Sequence, residues 1–153
     1  MANKDNTLAH LVADSQFADQ FETVFDLQLN LQKRLGVDFS NMSISHIAEY
    51  CIYNNHCMSD EQGEFLDSLG GKDGNASWKH WKAANQEMKN KKFSDLSNVE
   101  ILEAKYEVVD MFHFFINYAL SIGMTGSELF NMYVAKNQEN HKRQDENYWT
   151  IRW

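Results

Sequence analysis

Hydrophobic residues recur along this chain at the spacing of an α-helix, most clearly in the stretch 101–124 (ILEAKYEVVDMFHFFINYALSIGM). At about 100° per residue, one narrow stripe of this helix collects Glu103, Glu107, Asp110, Phe114 and Asn117. Apolar side chains cover most of the remaining surface, and such a helix is normally buried in a core or an interface. Because burying an unpaired carboxylate costs several kcal/mol, we expect cations or a metal ion to match these acidic side chains.

The same spacing predicts further helices along the chain. One helical face over 17–35 collects Phe21, Val24, Phe25, Gln28, Leu31, Gln32 and Leu35. Gly36 is expected to end this helix. Shorter helices are expected over 44–53, 58–69 and 78–88.

Two capping boxes mark the starts of the last two predicted helices. Ser97 with Glu100 starts the central helix, and Thr125 with Glu128 starts the final one. The inward residues of the final helix are predicted to be Leu129, Met132, Tyr133 and Val134. With no proline and only seven glycines, the chain is typical of a few long helices rather than many short strands. We therefore predict a single all-α domain over 1–153, with a loose arm over 1–15 and a C-terminal tail over 144–153.

Composition narrows the possible functions. The net charge of −8 disfavours a nucleic-acid-binding surface, which needs a basic stripe, but it allows a phosphorylated substrate bound through divalent cations. Cys51 and Cys57 lack the paired spacing of structural zinc ligands, so we favour reduced core thiols. There is no signal-peptide pattern, and the most apolar run, 108–124, contains polar residues and is marginal in length for a membrane span. A soluble cytoplasmic protein is expected.

Two pairs of carboxylates have the spacing for shared cation binding. Glu61 and Glu64 are three residues apart, as are Glu107 and Asp110, so each pair lies on one helical face. Acidic pairs at this spacing also occur on many solvated helices, and alone the first pair favours that interpretation. If the two pairs meet inside an antiparallel bundle, they form a cage of hard oxygen ligands suited to Mg²⁺ or Mn²⁺.

Groups of hydrogen-bond donors accompany these carboxylates. Lys79 and Lys82, beside two tryptophans, either snorkel over an aromatic surface or clamp a phosphate from a mobile loop. A stripe on the final helix is either a solvated face or a set of donors for phosphate oxygens: Lys136, Asn140 and Arg143. The carboxylates and donors together predict a site for a nucleotide polyphosphate.

Two amides, Gln28 and Gln32, interrupt an otherwise apolar helical face. We favour a position at the edge of this face, where both side chains are partly solvated. The alternative is that an amide reads the polar edge of a ligand.

At these residues the chain resembles a known family. The segments that carry the resemblance are DEQGEFLDSLGG (60–71), WKHWKA (78–83), LEAKYEVVDMFHF (102–114) and YVAKNQENHKRQDENY (133–148), with a weaker match in FDLQLNLQKRL (25–35). ExxE on one helix followed by ExxD on another is the signature of the all-α nucleoside triphosphate pyrophosphatases, which include MazG-like enzymes and dimeric dUTPases. The closer resemblance is to the dCTP- and dUTP-hydrolysing enzymes of T-even-type bacteriophages.

The resemblance implies a homodimeric, antiparallel helical bundle that hydrolyses dCTP and dUTP to the monophosphate and pyrophosphate. The implied cofactor is Mg²⁺, with Mn²⁺ as a substitute, and its ligands are Glu61, Glu64, Glu107 and Asp110. Either Glu61 or Glu64 is then expected to activate the attacking water. The implied substrate-binding residues are Gln28 and Gln32 for the base, Lys79 and Lys82 for the triphosphate, and Lys136, Asn137, Asn140, Arg143 and Gln144 for the phosphates and sugar.

Some positions depart from the family pattern. Asn147 stands where glycine is expected before Tyr148, which leaves the role of Tyr148 open. Gly63, inside the ExxE helix, costs about 1 kcal/mol against alanine and suits the close approach of a ligand or a neighbouring helix. His113 is expected to be a hydrogen-bonded core histidine. Two alternatives stay open: an enzyme of this fold that acts on another nucleotide, and a non-catalytic helical interaction protein whose carboxylates pair with lysine and arginine.

Overall fold

The structure is a computed structural model that describes residues 15–69, 79, 81–83 and 90–145, without the side chains of 15–19. Its elements in chain order are helix α1 (Ser15–Arg34), a 3₁₀ turn (Phe39–Asn41), helix α2 (Ile44–Ser68), a second 3₁₀ turn (Phe93–Asp95), helix α3 (Asn98–Ser121) and helix α4 (Gly126–Asp145). The described residues contain no strand, and the predicted all-α fold is confirmed.

Some predictions concern residues outside the described ranges. The predicted arm over 1–15 and tail over 144–153 lie almost wholly outside them, as does most of the predicted helix over 78–88. Asn147 and Tyr148 lie outside as well.

The segments 44–53 and 58–69, predicted as separate helices, belong to the single helix α2. The residues between them include neither proline nor glycine, so nothing interrupts the helical hydrogen bonds. Ser43 caps α2, because its hydroxyl accepts a hydrogen bond from the His46 N–H at 3.2 Å.

The chain divides into two compact units, Met1–Asn41 with Ile122–Trp153, and Met42–Ser121. In the first unit α1 packs against α4, and in the second α2 packs against α3. Each unit is therefore built around one pair of helices.

Helices α1 and α4 approach each other closely at Gly126. A Cβ added there would lie 2.6 Å from the backbone carbonyl of Phe21, so only glycine fits. The rings of Phe21 and Phe130 pack with centroids 5.8 Å apart, and Phe25 and Val134 are buried. The buried face of α4 therefore follows residues 126, 130 and 134.

This face corrects one prediction for α4. Of the residues predicted to point inward, Val134 is buried, but Met132 and Tyr133 are exposed. The reason is the close approach at Gly126, which turns a different side of the helix toward α1. At Gly63 no described protein atom lies within 4 Å of an added Cβ, so the expected close approach of a neighbouring helix is not found. The alternative, the close approach of a ligand, stays a prediction.

Helices α2 and α3 share a small core that contains Ala104, Ile116, Ala119 and Leu120. The Tyr118 hydroxyl donates to the Cys51 carbonyl at 2.8 Å, and Asn117 Nδ2 donates to Asn54 Oδ1 at 2.7 Å. A later residue of α2 thus pairs with an earlier residue of α3. The two helices run antiparallel, as the resemblance implies for this pair.

Helix α3 was expected to be buried on nearly every side, and within a single chain it is not. Leu102 and Tyr106 are more than half exposed, and Val109 is 46% exposed. Only α2 packs extensively against α3 among the described elements, so one face is buried and the other apolar faces stay open.

Three of the predicted helix ends are confirmed. Ser97 and Glu100 form a reciprocal capping box, as do Thr125 and Glu128. Gly36 ends α1 with a φ of 85°, a conformation that favours glycine.

Among the described residues, no single helix is long and apolar enough to cross a membrane; α3 and α4 meet those criteria only when taken together.

Candidate functional site

Three carboxylates meet where α2 packs against α3. Glu61 and Glu64 on α2 and Glu107 on α3 each offer one oxygen, and these atoms all lie within 4.8 Å of one another. Glu61 and Glu107 are partly buried and Glu64 is exposed. In the part of the chain that the structure describes, no other three His, Cys, Asp or Glu side chains bring their ligand atoms so close. The structure thus joins Glu107 of the second predicted pair to both members of the first.

The negative charge of this carboxylate cluster acts on Glu61. Burial, a hydrogen bond with Glu107 and the charges of Glu64 and Asp110 raise the pKa of the Glu61 carboxyl. The surroundings therefore oppose the ionisation of Glu61, and a cation among these oxygens would relieve the repulsion. Carboxylates are hard oxygen ligands of the kind that Mg²⁺ and Mn²⁺ prefer, so the cluster fits the predicted metal.

Asp110, the fourth predicted ligand, lies beside the cluster. Its charge contributes to the raised pKa of Glu61, but its Oδ1 lies 3.4 Å from His113 Nδ1 on the same helix. The prediction of a core histidine is wrong, because the side chain of His113 is 48% exposed. His113 is three residues beyond Asp110 on α3, on a side that the described part of α2 leaves open.

Helix α4 carries the donors predicted to bind phosphate. Lys136 Nζ lies 3.0 Å from Glu139 Oε2, and Arg143 Nη2 donates to the other oxygen of the same carboxylate. The hydrogen bond from Lys136 and the charge of Arg143 hold the pKa of Glu139 below its usual range. Sequence reasoning missed Glu139, although its spacing of three and four residues from the two cations could have found it. The two cations thus converge on one anion, as phosphate binding requires.

The predicted amides of α4 line a hollow of about 370 Å³. Asn137, Asn140 and Gln144 form its walls together with His141, which sequence reasoning also missed. His141 lies four residues after Asn137, so the helical repeat places both on one face. Amide and imidazole groups both donate and accept hydrogen bonds, and the hollow therefore suits a polar ligand.

The structure changes the interpretation of Gln28 and Gln32. They are 4% and 7% exposed, so the favoured prediction of partly solvated amides is wrong. Buried Phe25 lies on the same side of α1, which shows that the two glutamines belong to the inward face. Every buried side-chain nitrogen or oxygen among the described residues has a hydrogen-bond partner, as burial of polar groups requires.

Lys79 and Lys82 lie in the short described stretch between α2 and α3. Both are partly buried, and the Lys82 N–H donates to the Lys79 carbonyl at 3.0 Å, which makes one turn. These lysines and the carboxylate cluster belong to the unit Met42–Ser121, whereas the glutamines of α1 and the donors of α4 belong to the other unit.

The predicted thiols can also be located. Cys51 and Cys57 are both free and partly buried. Cys51 Sγ lies 3.6 Å from the Ser121 hydroxyl. Neither thiol belongs to the carboxylate cluster.

Comparison with known proteins adds independent information. A dUTPase family model matches residues 91–148, a range that includes Glu107, Asp110 and all of α4. The dCTP pyrophosphatase of Enterobacteria phage LZ5 is 36% identical in an alignment that covers 85% of this chain and 83% of that protein. The dCTP pyrophosphatase of Enterobacteria phage T4 is 32% identical in an alignment that covers 94% of this chain and 98% of that protein.

A third relative is longer than this chain. The DNA replication protein of Enterobacteria phage T4 is 31% identical in an alignment that covers 87% of this chain but 40% of that protein. No solved structure matches significantly. Because the two dCTP pyrophosphatases match over most of both lengths, this chain belongs to the phage dCTP pyrophosphatase family of all-α nucleotide pyrophosphatases.

Proposed function

We propose that this protein hydrolyses dCTP, and also dUTP, to the nucleoside monophosphate and pyrophosphate. The proposed Mg²⁺ ligands are Glu61, Glu64, Glu107 and Asp110. The observation that carries the proposal is the convergence of three glutamate oxygens within 4.8 Å in a member of a pyrophosphatase family. The proposed setting is the cytoplasm of a phage-infected cell, since the relatives that carry the pyrophosphatase name are phage proteins.

The carboxylate cluster can serve this reaction in two ways. Mg²⁺ bound there would neutralise charge on the phosphate oxygens and lower the pKa of a water molecule, so that hydroxide is available for attack. The protein's own contribution is to hold the oxygens of Glu61, Glu64 and Glu107 in one place before substrate arrives. We infer that either Glu61 or Glu64 accepts the proton of the attacking water.

The donors on α4 suit the binding of the phosphate groups and of the leaving pyrophosphate. Lys136 and Arg143 already converge on the Glu139 carboxylate, and we infer that phosphate oxygens take its place. Their positive charges would stabilise the leaving pyrophosphate. The amides Asn137, Asn140 and Gln144 would then hold the phosphates and sugar, and Lys79 and Lys82 would close over the triphosphate.

We assign recognition of the base to Gln28, with Gln32 as a second amide. A glutamine side chain both donates and accepts hydrogen bonds, so it can serve cytosine and uracil alike. Because both amides are buried, a base reaches them only if neighbouring side chains move. The donors of α4 need no such movement, because each of them is exposed or only partly buried.

We also propose that the protein is a homodimer that buries the open face of α3. Leu102, Tyr106 and Val109 follow one another at helical spacing, and each is about half exposed in the single chain. A contiguous apolar surface of this kind is typical of protein interfaces. Sedimentation should show a dimer, and Tyr106→Lys should shift it toward monomer. A monomer at every protein concentration would contradict this proposal.

The function is tested by a turnover panel. Purified protein is incubated with each canonical deoxynucleoside triphosphate and several modified ones, with Mg²⁺ or Mn²⁺, and pyrophosphate release is measured. The double variant Glu107→Gln with Asp110→Asn should lose at least about 100-fold in activity while its circular dichroism stays helical. Glu49→Gln, an exposed residue of α2 outside the cluster, is the control for charge and should stay active.

The panel also separates the alternatives. Preference for another nucleotide would keep the carboxylate cluster and change the assignment of the base. Release of no pyrophosphate from any substrate would refute the enzyme proposal and leave a non-catalytic helical protein.

A further inference from the structure

Asn54 and Asn117 are the most deeply buried polar side chains among the described residues. They are 1% and 2% exposed, and Asn117 Nδ2 donates to Asn54 Oδ1 at 2.7 Å. Asn54 Nδ2 in turn donates to the Tyr50 carbonyl at 2.8 Å. A buried polar group that loses its partner costs about 1–3 kcal/mol. The amide pair therefore opposes any movement that separates these two positions.

The amide pair and the carboxylate cluster lie on the same faces of α2 and α3. Glu61 follows Asn54 by seven residues, and Asp110 precedes Asn117 by seven residues. Seven residues are about two helical turns, so each carboxylate lies close to the face of its amide. Because the helices run antiparallel, the alignment of Asn54 with Asn117 also aligns Glu61 with the level of Asp110.

The remaining glutamates follow the same alignment. Glu64 and Glu107 each lie three residues farther from the amide pair, so they also fall at one level. A slide of one helix by a single turn, about 5.4 Å, would separate their oxygens and also break the amide hydrogen bond. Apolar contacts alone resist such a slide weakly because they are non-directional. Buried polar pairs between helices are a known means of fixing the register.

We propose that Asn54 and Asn117 are positioning residues for the metal site. Their hydrogen bond selects the register in which Glu61, Glu64 and Glu107 converge. The inference rests on the proposed function, since it assigns the amide pair a role in assembling the Mg²⁺ ligands.

The first test replaces both amides with leucine, Asn54→Leu together with Asn117→Leu. The variant removes both partners of the amide hydrogen bond together, although the Tyr50 side chain loses its hydrogen bond with Asn54. It should therefore stay folded in EDTA, with a melting temperature close to that of the wild type. Its Mg²⁺ affinity, measured by calorimetry without nucleotide, should fall about 10- to 100-fold, the usual effect of removing support behind metal ligands. Ser121→Ala removes another buried polar side chain of α3 and should keep the wild-type affinity.

A second test measures the register without metal. Glu64→Cys and Glu107→Cys are introduced in a chain with Cys51→Ser and Cys57→Ser, and a short bismaleimide links the new thiols. The yield should be high with the native amides and should fall at least threefold with the two leucines. A different result would refute the proposed function itself: a wild-type protein that binds no Mg²⁺ and releases no pyrophosphate.

Several outcomes would overturn the inference. One is a folded leucine variant whose Mg²⁺ affinity is within threefold of the wild type. Another is unchanged crosslinking, whatever the affinity. If the leucine variant does not fold, the variant with Asn54→Val and Asn117→Val is measured instead. Failure of both to fold would assign the pair to stability rather than to register.

Discussion

Removal of the charge on Glu107 should stabilise the metal-free protein. Its oxygen lies within 4.8 Å of those of Glu61 and Glu64, a separation at which two unit charges repel by about 0.9 kcal/mol in water. Physiological salt, with a Debye length of about 8 Å, reduces each repulsion to about 0.5 kcal/mol. Glu107→Gln removes two such repulsions, about 1 kcal/mol in total, which should raise the melting temperature by about 2–4 °C in EDTA.

Mg²⁺ should reverse this difference and make the wild type more stable than Glu107→Gln. A ligand at ten times its dissociation constant stabilises the folded state by about 1.4 kcal/mol. Wild type should gain this amount in Mg²⁺, whereas Glu107→Gln should gain much less because it lacks one ligand. The assay is thermal unfolding by circular dichroism in EDTA and at increasing Mg²⁺, with Glu49→Gln as the control. A variant that is less stable than wild type in EDTA, or that responds equally to Mg²⁺, would refute the reasoning.

The same comparison has a predictable pH dependence through Glu61. Burial and the neighbouring carboxylates raise the pKa of Glu61 in the folded chain. Stabilisation by its protonated form is therefore fully present below the ordinary carboxyl pKa and is lost as the pH rises through the folded pKa. Wild type in EDTA should lose stability across this window, and Glu107→Gln should lose less. Identical pH profiles would contradict the assigned cause.

Two further predictions concern the contact between α1 and α4. Gly126→Ala should lower the free energy of unfolding by about 1–3 kcal/mol through overpacking. The control Gly63→Ala should raise it by up to about 1 kcal/mol, since alanine favours the helix. Urea unfolding measures both variants, and equal stabilities would contradict the close contact at Gly126. Glu22 accepts a hydrogen bond from the Ser127 N–H at 2.7 Å, and hydrogen bonds from Ser127 lower its pKa. This stabilisation is present above the ordinary carboxyl pKa and is lost as the pH falls through the folded pKa. Glu22→Gln should therefore lower the free energy of unfolding by about 1 kcal/mol at pH 7, and by less as the pH falls through the folded pKa of Glu22. A loss of stability that is independent of pH would contradict this prediction.

The helices were predictable because their signals are local. A capping box joins residues three apart, and those that begin at Ser97 and Thr125 both form as predicted. Gly36 ends α1 because a positive φ suits a residue without Cβ. The false break in α2 arose where the pattern of apolar residues weakened around 54–57 without a proline or glycine.

Burial was less predictable because it depends on the partner helix. Gln28 and Gln32 have the polarity of edge residues, yet the packing of the unit buries them. Met132 and Tyr133 have the apolarity of inward residues, yet they are exposed because Gly126 sets which side of α4 faces α1. No pattern within one helix contains this information.

The carboxylate cluster combines a local sequence pattern with a contact that depends on the partner helix. The Glu61 and Glu64 pair has the same sequence pattern as an ordinary solvated face, and only the register of α2 against α3 brings Glu107 beside it. Asn117 lies on the acidic stripe of α3, where the sequence assigns it no role, because its partner Asn54 is on the other helix. The polar stripe of α3 therefore contains two kinds of side chain, carboxylates and an amide, and each kind is stabilised in a different way at the interface with α2. The amide end has its hydrogen bonds satisfied within the chain, and the acidic end has an excess of negative charge that a divalent cation can balance.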